Sequence, residues 1–416
     1  MRAEIIAVGT EILLGDIVNT NAQFLSKELA AIGIGVYRQE VIGDNKDRLL
    51  EAIDNALKRS DIVITTGGLG PTADDLTKET ACEYFNMNLE VHEESFRLLK
   101  DRLNRVGKEL TESNLKQAYF PKEAIVLRND NGTAPGAILE KDNKCIIVLP
   151  GPPREMKPMY ENGVKEFLKA KGNGIIKSTT LRVLGIGESY VADKLKDFIE
   201  NGKNPTVAPY AKEEDVIFRI TAKADSEQEA LRLIEPVKEE IKVRLGMDYY
   251  GEGEDLTIEK VVGDELVSRK LTISTAESCT GGMIASRLIN YPGISEAFLE
   301  GAVTYSNEAK MRTLNVREDT LKEHGAVSEE TAKEMALGIA NRTGSDISVV
   351  TTGIAGPGGG TKEKPVGLVY IGVYYKGDVK AYRHVFNGDR GEVRRKATVE
   401  ALDKVRRSIL QDKIVG

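Results

Sequence analysis

Asp61-Ile62-Val63-Ile64-Thr65-Thr66-Gly67-Gly68-Leu69-Gly70 decides the fold. Residues 62–66 are all β-branched, with Ile62, Val63 and Ile64 apolar, which reads as a buried strand, and the glycines after it read as a turn. Upstream, Leu50, Ile53 and Leu57 lie at helical spacing, with Asp44 as the expected cap. Before that helix, Gly35 to Ile42 reads as a strand. Asn19 to Ile32 reads as a helix with Leu25, Leu29 and Ile32 on one face, capped by Asn19 or Thr20 and closed by Gly33. Glu4 to Val8 is a further strand that ends in Gly9-Thr10. Strands separated by helices of this length imply a right-handed parallel α/β sheet. Ligands in such sheets lie at the carboxyl ends of strands, and both glycine turns fall there.

Downstream, the strand Lys144 to Leu149 ends in Pro150-Gly151-Pro152-Pro153, and a polar linker follows at Lys169-Ala170-Lys171-Gly172-Asn173-Gly174. The pattern then changes to a strand at Ser178 to Leu184, a helix at Glu188 to Glu200, a strand at Asp215 to Ala224 and a helix at Glu227 to Leu245. This is a small α+β unit. Gly251-Glu252-Gly253-Glu254 marks a second boundary. Beyond it come a helix at Thr257 to Arg269 and a strand at Leu271 to Thr275. Alternating elements continue to a last helix near Glu392 to Leu410. The chain of 416 residues thus divides into domains at 1–170, 175–250 and 255–416, about the three expected from its length.

Apolar residues make up 41% and charged residues 30%, an ordinary globular composition. The net charge of −7 argues against a nucleic-acid binder that works through bulk positive charge. Three cysteines and three histidines are too few and too scattered for a disulfide framework or a Cys/His zinc site, so a metal would be held by oxygens. No apolar run approaches the ~18 residues of a membrane span, and Glu4 stands where a signal peptide would be apolar. A cytoplasmic protein without a membrane partner is expected.

The densest chemistry lies in the last third. The strand before Ala276-Glu277-Ser278-Cys279-Thr280-Gly281-Gly282 runs into a helix from Met283. A hydroxyl at such a turn is exposed where N–H groups can meet a developing oxyanion, although Ser278 or Thr280 could equally be a plain helix cap. After the strand Val303-Thr304-Tyr305, Asn307 could cap a helix that carries Lys310. A lysine on a helix is ordinarily solvated. Desolvated, it can act as a base for serine where no histidine stands near. Cys279 is the poorer nucleophile candidate, since a free cysteine is more often a packing residue. The strand Ile347 to Thr352 ends in Gly353-Ile354-Ala355-Gly356-Pro357-Gly358-Gly359-Gly360, a loop able to wrap a ligand but lacking the Lys-Ser/Thr of a P-loop. Arg390, Arg394 and Arg395 sit about the start of the last helix, where anion binding would offset their opposition to the helix dipole.

At the front, the turn Gly67 to Gly70 precedes Pro71-Thr72-Ala73-Asp74-Asp75. Backbone N–H groups beside paired carboxylates suit a phosphate held next to a hard divalent cation; Asp74 or Asp75 could instead cap the helix near Leu76.

Together these blocks resemble the CinA family. The C-terminal resemblance rests on Ala276 to Gly282, Val303 to Lys310, Gly325-Ala326-Val327-Ser328, Thr352 to Pro357, Lys364-Pro365-Val366-Gly367 and Gly388-Asp389-Arg390. It implies a nicotinamide mononucleotide (NMN) deamidase that gives nicotinic acid mononucleotide and ammonia. Ser278 would be the nucleophile, Lys310 its base and Tyr305 an aid to proton transfer. Thr280, Gly281, Thr352, Gly353, Gly356 and Arg390 would bind NMN, with Arg390 on the phosphate and no cofactor needed. The front resembles the molybdopterin-binding fold as found in CinA proteins, on Gly9 to Gly15, Gly67 to Thr77, Asn131-Gly132-Thr133-Ala134-Pro135-Gly136 and Leu149 to Pro153. It implies an ADP-ribose pyrophosphatase that needs a divalent metal (Mg2+ or a transition metal), with K+ as a further ion. Asp44, Asp75 and Asp74 would hold metal or activate water, and Asn21, Gly68, Gly70 and Thr72 would contact phosphate.

The middle unit resembles the KH-like domain of CinA proteins. Its Gly185-Ile186-Gly187-Glu188 departs from the Gly-x-x-Gly of nucleic-acid-binding KH modules, which points to a spacer or dimerisation element. The resemblance implies a homodimer acting on small nucleotides and no nucleic-acid partner. Two readings follow. One is a bifunctional pyridine-nucleotide recycling hydrolase. The other is a molybdopterin-type ligand-binding or regulatory protein linked to competence or DNA damage, with no turnover at the front.

Overall fold

In the computed structural model the structure describes residues 1–105, 107, 109–172, 174–185 and 187–415. Two compact units are present. One comprises Met1–Ser178 with Ala222–Leu233, the other Thr179–Thr221 with Ile234–Gly416. Asn173 of the first linker and Ile186 of the Gly-x-Gly loop lie outside the described residues.

The first unit is built on a six-stranded mixed sheet. The strand Arg2–Val8 lies between Gly35–Ile42 and Ile62–Thr66, all parallel. Ile62–Thr66 pairs in parallel with Lys144–Leu149, and Gly136–Lys141 and Ile125–Leu127 complete the sheet antiparallel. Ile62–Thr66 is buried throughout, as its β-branched run requires. Register pairs Ala7 with Thr66 and Thr66 with Leu149, so Gly9, Gly67 and Pro150 follow at one edge of the sheet. The helix Thr20–Ala31 is capped by Asn19, whose Oδ1 accepts the Ala22 N–H at 3.1 Å. The helix Lys46–Arg59 is capped by Asn45, not by Asp44. Asp44 is taken instead by a distant partner, Thr10, whose N–H and hydroxyl both donate to its Oδ2. The helix Thr77–Tyr84 has no side-chain cap, since Asp75 faces Thr72.

The middle elements form a four-stranded sheet in the order Thr206–Ala211, Val216–Ala224, Ile175–Val183, Tyr249–Glu252. The helix expected over 188–200 is two helices, Glu188–Lys194 and Lys196–Asn201, broken at Leu195, whose φ of −115° and ψ of 14° leave the helical region.

The C-terminal sheet is ordered Phe298–Val303, Ile273–Glu277, Ile347–Gly353, Leu368–Tyr375, Asp378–Val385, with the first three parallel. The strand expected at 271–275 runs two residues later, and that expected at 303–305 ends at Val303. Glu277 pairs with Val303 on one side and Thr351 on the other, so Ser278, Thr304 and Thr352 emerge together. The chain passes from Ile273–Glu277 to Phe298–Val303 on one side and then crosses to Ile347–Gly353 on the other, the strand order that places ligands at carboxyl ends in such sheets. The last helix, Arg390–Val415, covers the sheet with Val393, Ala397, Leu402, Val405 and Ile409. It starts two residues before the expected position because Asp389 and Glu392 cap it reciprocally: Glu392 N–H donates to Asp389 Oδ1 at 2.9 Å, and Asp389 N–H to Glu392 Oε2 at 2.8 Å.

Candidate active sites

Ser278 follows the strand Ile273–Glu277, held by its N–H to Thr351 O at 2.9 Å. Lys310 reaches it from the helix Asn307–Leu314. The cap of that helix is Ser306 rather than Asn307, its Oγ accepting the Ala309 N–H at 3.1 Å. Lys310 and Leu314, one turn apart, are the buried residues of this helix. Lys310 Nζ stands 3.1 Å from Ser278 Oγ, 2.8 Å from Thr304 O and 3.4 Å from Tyr305 O. The lysine is 1% exposed and the serine 8%.

Burial disfavours the ammonium and lowers the Lys310 pKa to about 8. As a cation it has three protons for three acceptors. As an amine it has two, and the two carbonyls accept no other role from it than donation. The lone pair is then left for the Ser278 hydroxyl, which donates. Cys279 is buried in the hydrophobic core, and burial pushes its thiol up to about 11, so it is protonated near neutrality.

Neither Ser278 nor Thr280 caps the helix Met283–Leu288. Its cap position is Gly282, at φ 92°, with no side chain to offer. The acceptor is Glu277, 1% exposed. Its Oε2 takes the Thr280 hydroxyl at 2.6 Å and the N–H groups of Gly282 (2.9 Å) and Ile284 (3.1 Å), and its Oε1 takes Ala285 N–H at 2.9 Å. Sequence reasoning missed Glu277. The available signal was Gly281-Gly282 ahead of a helix, which leaves the first N–H groups in need of an acceptor from elsewhere. The N–H groups of Thr280 and Gly281 donate to no acceptor among the described residues.

The other expected residues frame this turn. Thr352 donates its hydroxyl to Ala326 O at 2.6 Å. Arg390 donates to Gly356 O at 2.8 Å and to the Tyr305 hydroxyl at 3.4 Å. Tyr305 is thus 66% exposed and beside Arg390, while its backbone carbonyl faces Lys310. Arg394, one turn beyond Arg390, donates to Thr280 O at 2.8 Å. Gly353 pairs with Val369 at the end of its strand, and a Cβ there would meet Leu368 O at 2.7 Å.

In the first unit a cavity of about 590 Å³ opens at the carboxyl ends of the parallel strands. Asn21, Asp44, Gly68, Gly70, Asp74 and Asp75 all line it. Gly67 has φ 102° and a Cβ on it would lie 2.1 Å from Val8 O, so the turn admits only glycine there. Asp75 Oδ2 accepts the Thr72 N–H at 3.0 Å and the Thr72 hydroxyl at 2.5 Å. The Thr72 hydroxyl also holds the Asp74 carboxyl below the usual carboxylate range. Lys116 donates to the carbonyls of Thr72 and Asp75, pinning the acidic loop. Asn21 Nδ2 donates to Gly151 O at 2.6 Å, which fixes the amide and leaves Oδ1 buried without a partner. No three His, Cys, Asp or Glu side chains among the described residues are grouped to hold a metal. Asp44 and Asp75 each keep one oxygen uncommitted beside the glycine turn. Such a pair fits Mg2+, which is commonly held by one or two carboxylates together with waters and substrate phosphate oxygens.

Among the described residues no helix is long and apolar enough to cross a membrane. Comparison with known families matches residues 4–170 to a "Probable molybdopterin binding domain", 178–251 to the "Damage-inducible protein CinA KH domain" and 255–409 to the "CinA C-terminal domain". A competence-damage inducible protein of Clostridium beijerinckii is 59% identical over 411 residues, 99% of this chain and 100% of that protein. One of the same name from Clostridioides difficile is 58% identical over 412 residues, 98% of this chain and 99% of that protein. A crystal structure of a CinA protein from Thermoplasma acidophilum is 37% identical, covers 40% of this chain and 98% of that one, and has a TM-score of 0.38.

Proposed function

We propose, from the premise that this chain belongs to the CinA family, that its C-terminal domain hydrolyses the carboxamide of NMN through Ser278 and Lys310. The observation that carries this reading is the 3.1 Å approach of a desolvated lysine amine to a serine hydroxyl at a strand end. Lys310 takes the Ser278 proton as Oγ attacks the amide carbon. The resulting oxyanion is met by the free N–H groups of Thr280 and Gly281. Lys310 then returns the proton to nitrogen, ammonia leaves, and a serine ester remains. Water, deprotonated by Lys310, cleaves that ester to nicotinic acid mononucleotide and restores the hydroxyl. The carbonyls of Thr304 and Tyr305 keep the amine oriented through both proton transfers. Arg390 serves the nucleotide phosphate, with Tyr305, Thr352, Gly353 and Gly356 shaping the pocket about the ribose and base.

The front domain is proposed as an ADP-ribose pyrophosphatase yielding AMP and ribose 5-phosphate. Gly68 and Gly70, which line the cavity, would meet the diphosphate, Thr72 lies outside that lining and would act by holding Asp75, and Asn21, whose free atom is an acceptor, would meet a hydroxyl rather than a phosphoryl oxygen. Asp44 and Asp75, with Asp74 beside them, would hold a divalent ion that supplies charge neutralisation for the diphosphate. Binding without turnover is the second reading for this half. It is favoured by the acidic oxygens already committed to Thr10 and Thr72. A homodimer in the cytoplasm is the proposed setting.

The test is incubation with NMN and with ADP-ribose, with and without chelator, assaying ammonia and AMP. Ammonia from NMN that is insensitive to chelator supports the C-terminal reading, and its absence rejects it. AMP formed only without chelator supports the front activity. Tight ADP-ribose binding without AMP supports the second reading.

A further inference from the structure

A helix that starts at a strand end ordinarily offers its first N–H groups to an anion. Here the helix Met283–Leu288 does not. Glu277 Oε2 and Oε1 consume the N–H groups of Gly282, Ile284 and Ala285, and the Thr280 hydroxyl as well. The carboxylate is 1% exposed, so it is sealed from ligand. It is also the residue immediately before Ser278, at the last register position shared with both neighbouring strands. Residues 278–281 therefore bridge two points that one side chain ties together, with Gly281 at φ 60° and Gly282 at φ 92° making the reversal. Thr280 is further tied across to Thr351, the hydroxyls 2.7 Å apart. In this turn the Ser278 hydroxyl faces Lys310, and the N–H groups of Cys279, Thr280 and Gly281 meet no acceptor among the described residues.

We propose that Glu277 is a positioning residue for the amide hydrolysis, fixing the 278–282 turn so that Ser278 Oγ faces Lys310 and the oxyanion donors come from the turn instead of the helix. The proposal rests on the reading of Ser278 as nucleophile. A helix cap alone would need one bond to a cap-position side chain. Four bonds to both oxygens of a sealed carboxylate define an orientation as well.

The carboxylate makes the isosteric amide a sharp probe. Both oxygens of Glu277 act only as acceptors from the protein's N–H groups. In Glu277→Gln the new NH2 group must face either Ala285 N–H, or Gly282 and Ile284 N–H, donor against donor. The turn must shift, and a misplacement of about 1 Å at a nucleophile costs up to about 100-fold in rate.

Glu277→Gln and Glu277→Asp are compared with wild type for NMN turnover. Labelling of Ser278 by phenylmethanesulfonyl fluoride, read by mass spectrometry, and thermal unfolding are measured beside it. Expected for Glu277→Gln are a kcat about 10- to 100-fold lower with KM within threefold, Ser278 labelling slowed in proportion, and cooperative unfolding retained. Glu277→Asp, which keeps the charge, should lose less. A lowered Tm with kcat and labelling within twofold of wild type would overturn the proposal and leave Glu277 a cap. Should wild type release no ammonia, labelling alone decides. Slowed labelling in Glu277→Gln upholds the positioning role while the NMN reading fails, and unchanged labelling rejects the role. If Glu277→Gln does not fold, the labelling and kcat of Glu277→Asp decide by the same criteria.

Discussion

Replacing Lys310 by methionine should abolish ammonia release and yet raise the stability of the C-terminal domain at neutral pH. Burial lowers the Lys310 pKa from 10.5 to about 8. Below pH 8 the lysine is charged in both folded and unfolded chains, and the folded chain bears the full cost of the sealed cation. Above pH 8 the folded chain sheds its proton first, so stability rises with pH until the unfolded lysine also titrates near 10.5. At 1.36 kcal/mol per unit the cost is about 3 kcal/mol at pH 7 and about 1.5 kcal/mol at pH 9.5. Methionine keeps the stem and avoids this cost, but strands the carbonyls of Thr304 and Tyr305, a loss of about 1–2 kcal/mol. Lys310→Met should therefore be about 1–2 kcal/mol more stable than wild type at pH 7, with that advantage gone by pH 9.5. Urea denaturation of both proteins at the two pH values, with the transition of the C-terminal domain fitted separately, measures the difference. Other titrating groups are shared and cancel. A variant less stable at pH 7 by the same amount as at pH 9.5 would refute the reasoning, because no buried charge would have been relieved.

Wild-type kcat/KM for NMN should rise about tenfold between pH 7 and pH 9 as the neutral fraction of Lys310 grows from roughly 0.1 to 0.9, and a flat profile would point to another base. Cys279→Ala should keep ammonia release within about threefold, since its thiol is buried and protonated, whereas Ser278→Ala should lose about three orders of magnitude or more. Equal loss in both variants, measured by an ammonia-coupled assay, would reverse the choice of nucleophile. Chelator or Asp75→Asn should stop AMP formation from ADP-ribose and leave ammonia formation from NMN untouched. Parallel loss of both products would argue against separate chemistries.

Local sequence carried the sheets further than the sites. The Ile62–Thr66 strand and the helix Glu227–Leu245 were readable because burial on both faces and helical spacing leave their mark residue by residue. The Ser278–Lys310 contact spans 32 positions, and only the recurrence of family motifs brought the two residues together. Asp44 looked like a cap because a cap is a local pattern, but its carboxylate is claimed by Thr10 across the sheet edge and Asn45 takes its place. Glu277 was hidden for a related reason. A buried charged residue is not expected inside a strand, whereas four donors folded around Glu277 let the strand extend as far as it. The reciprocal caps of Asp389 and Glu392 were not read from the sequence, and they start the last helix at Arg390, two residues before the expected Glu392.

The protonation of one side chain can be followed directly. With lysines labelled at Cε with 13C, and the Lys310 signal assigned by its loss in Lys310→Met, titration by NMR should show that resonance moving with a midpoint near 8, well apart from the surface lysines. A midpoint above 10, together with the bulk, would mean that the amine beside Ser278 stays charged at working pH and is no base.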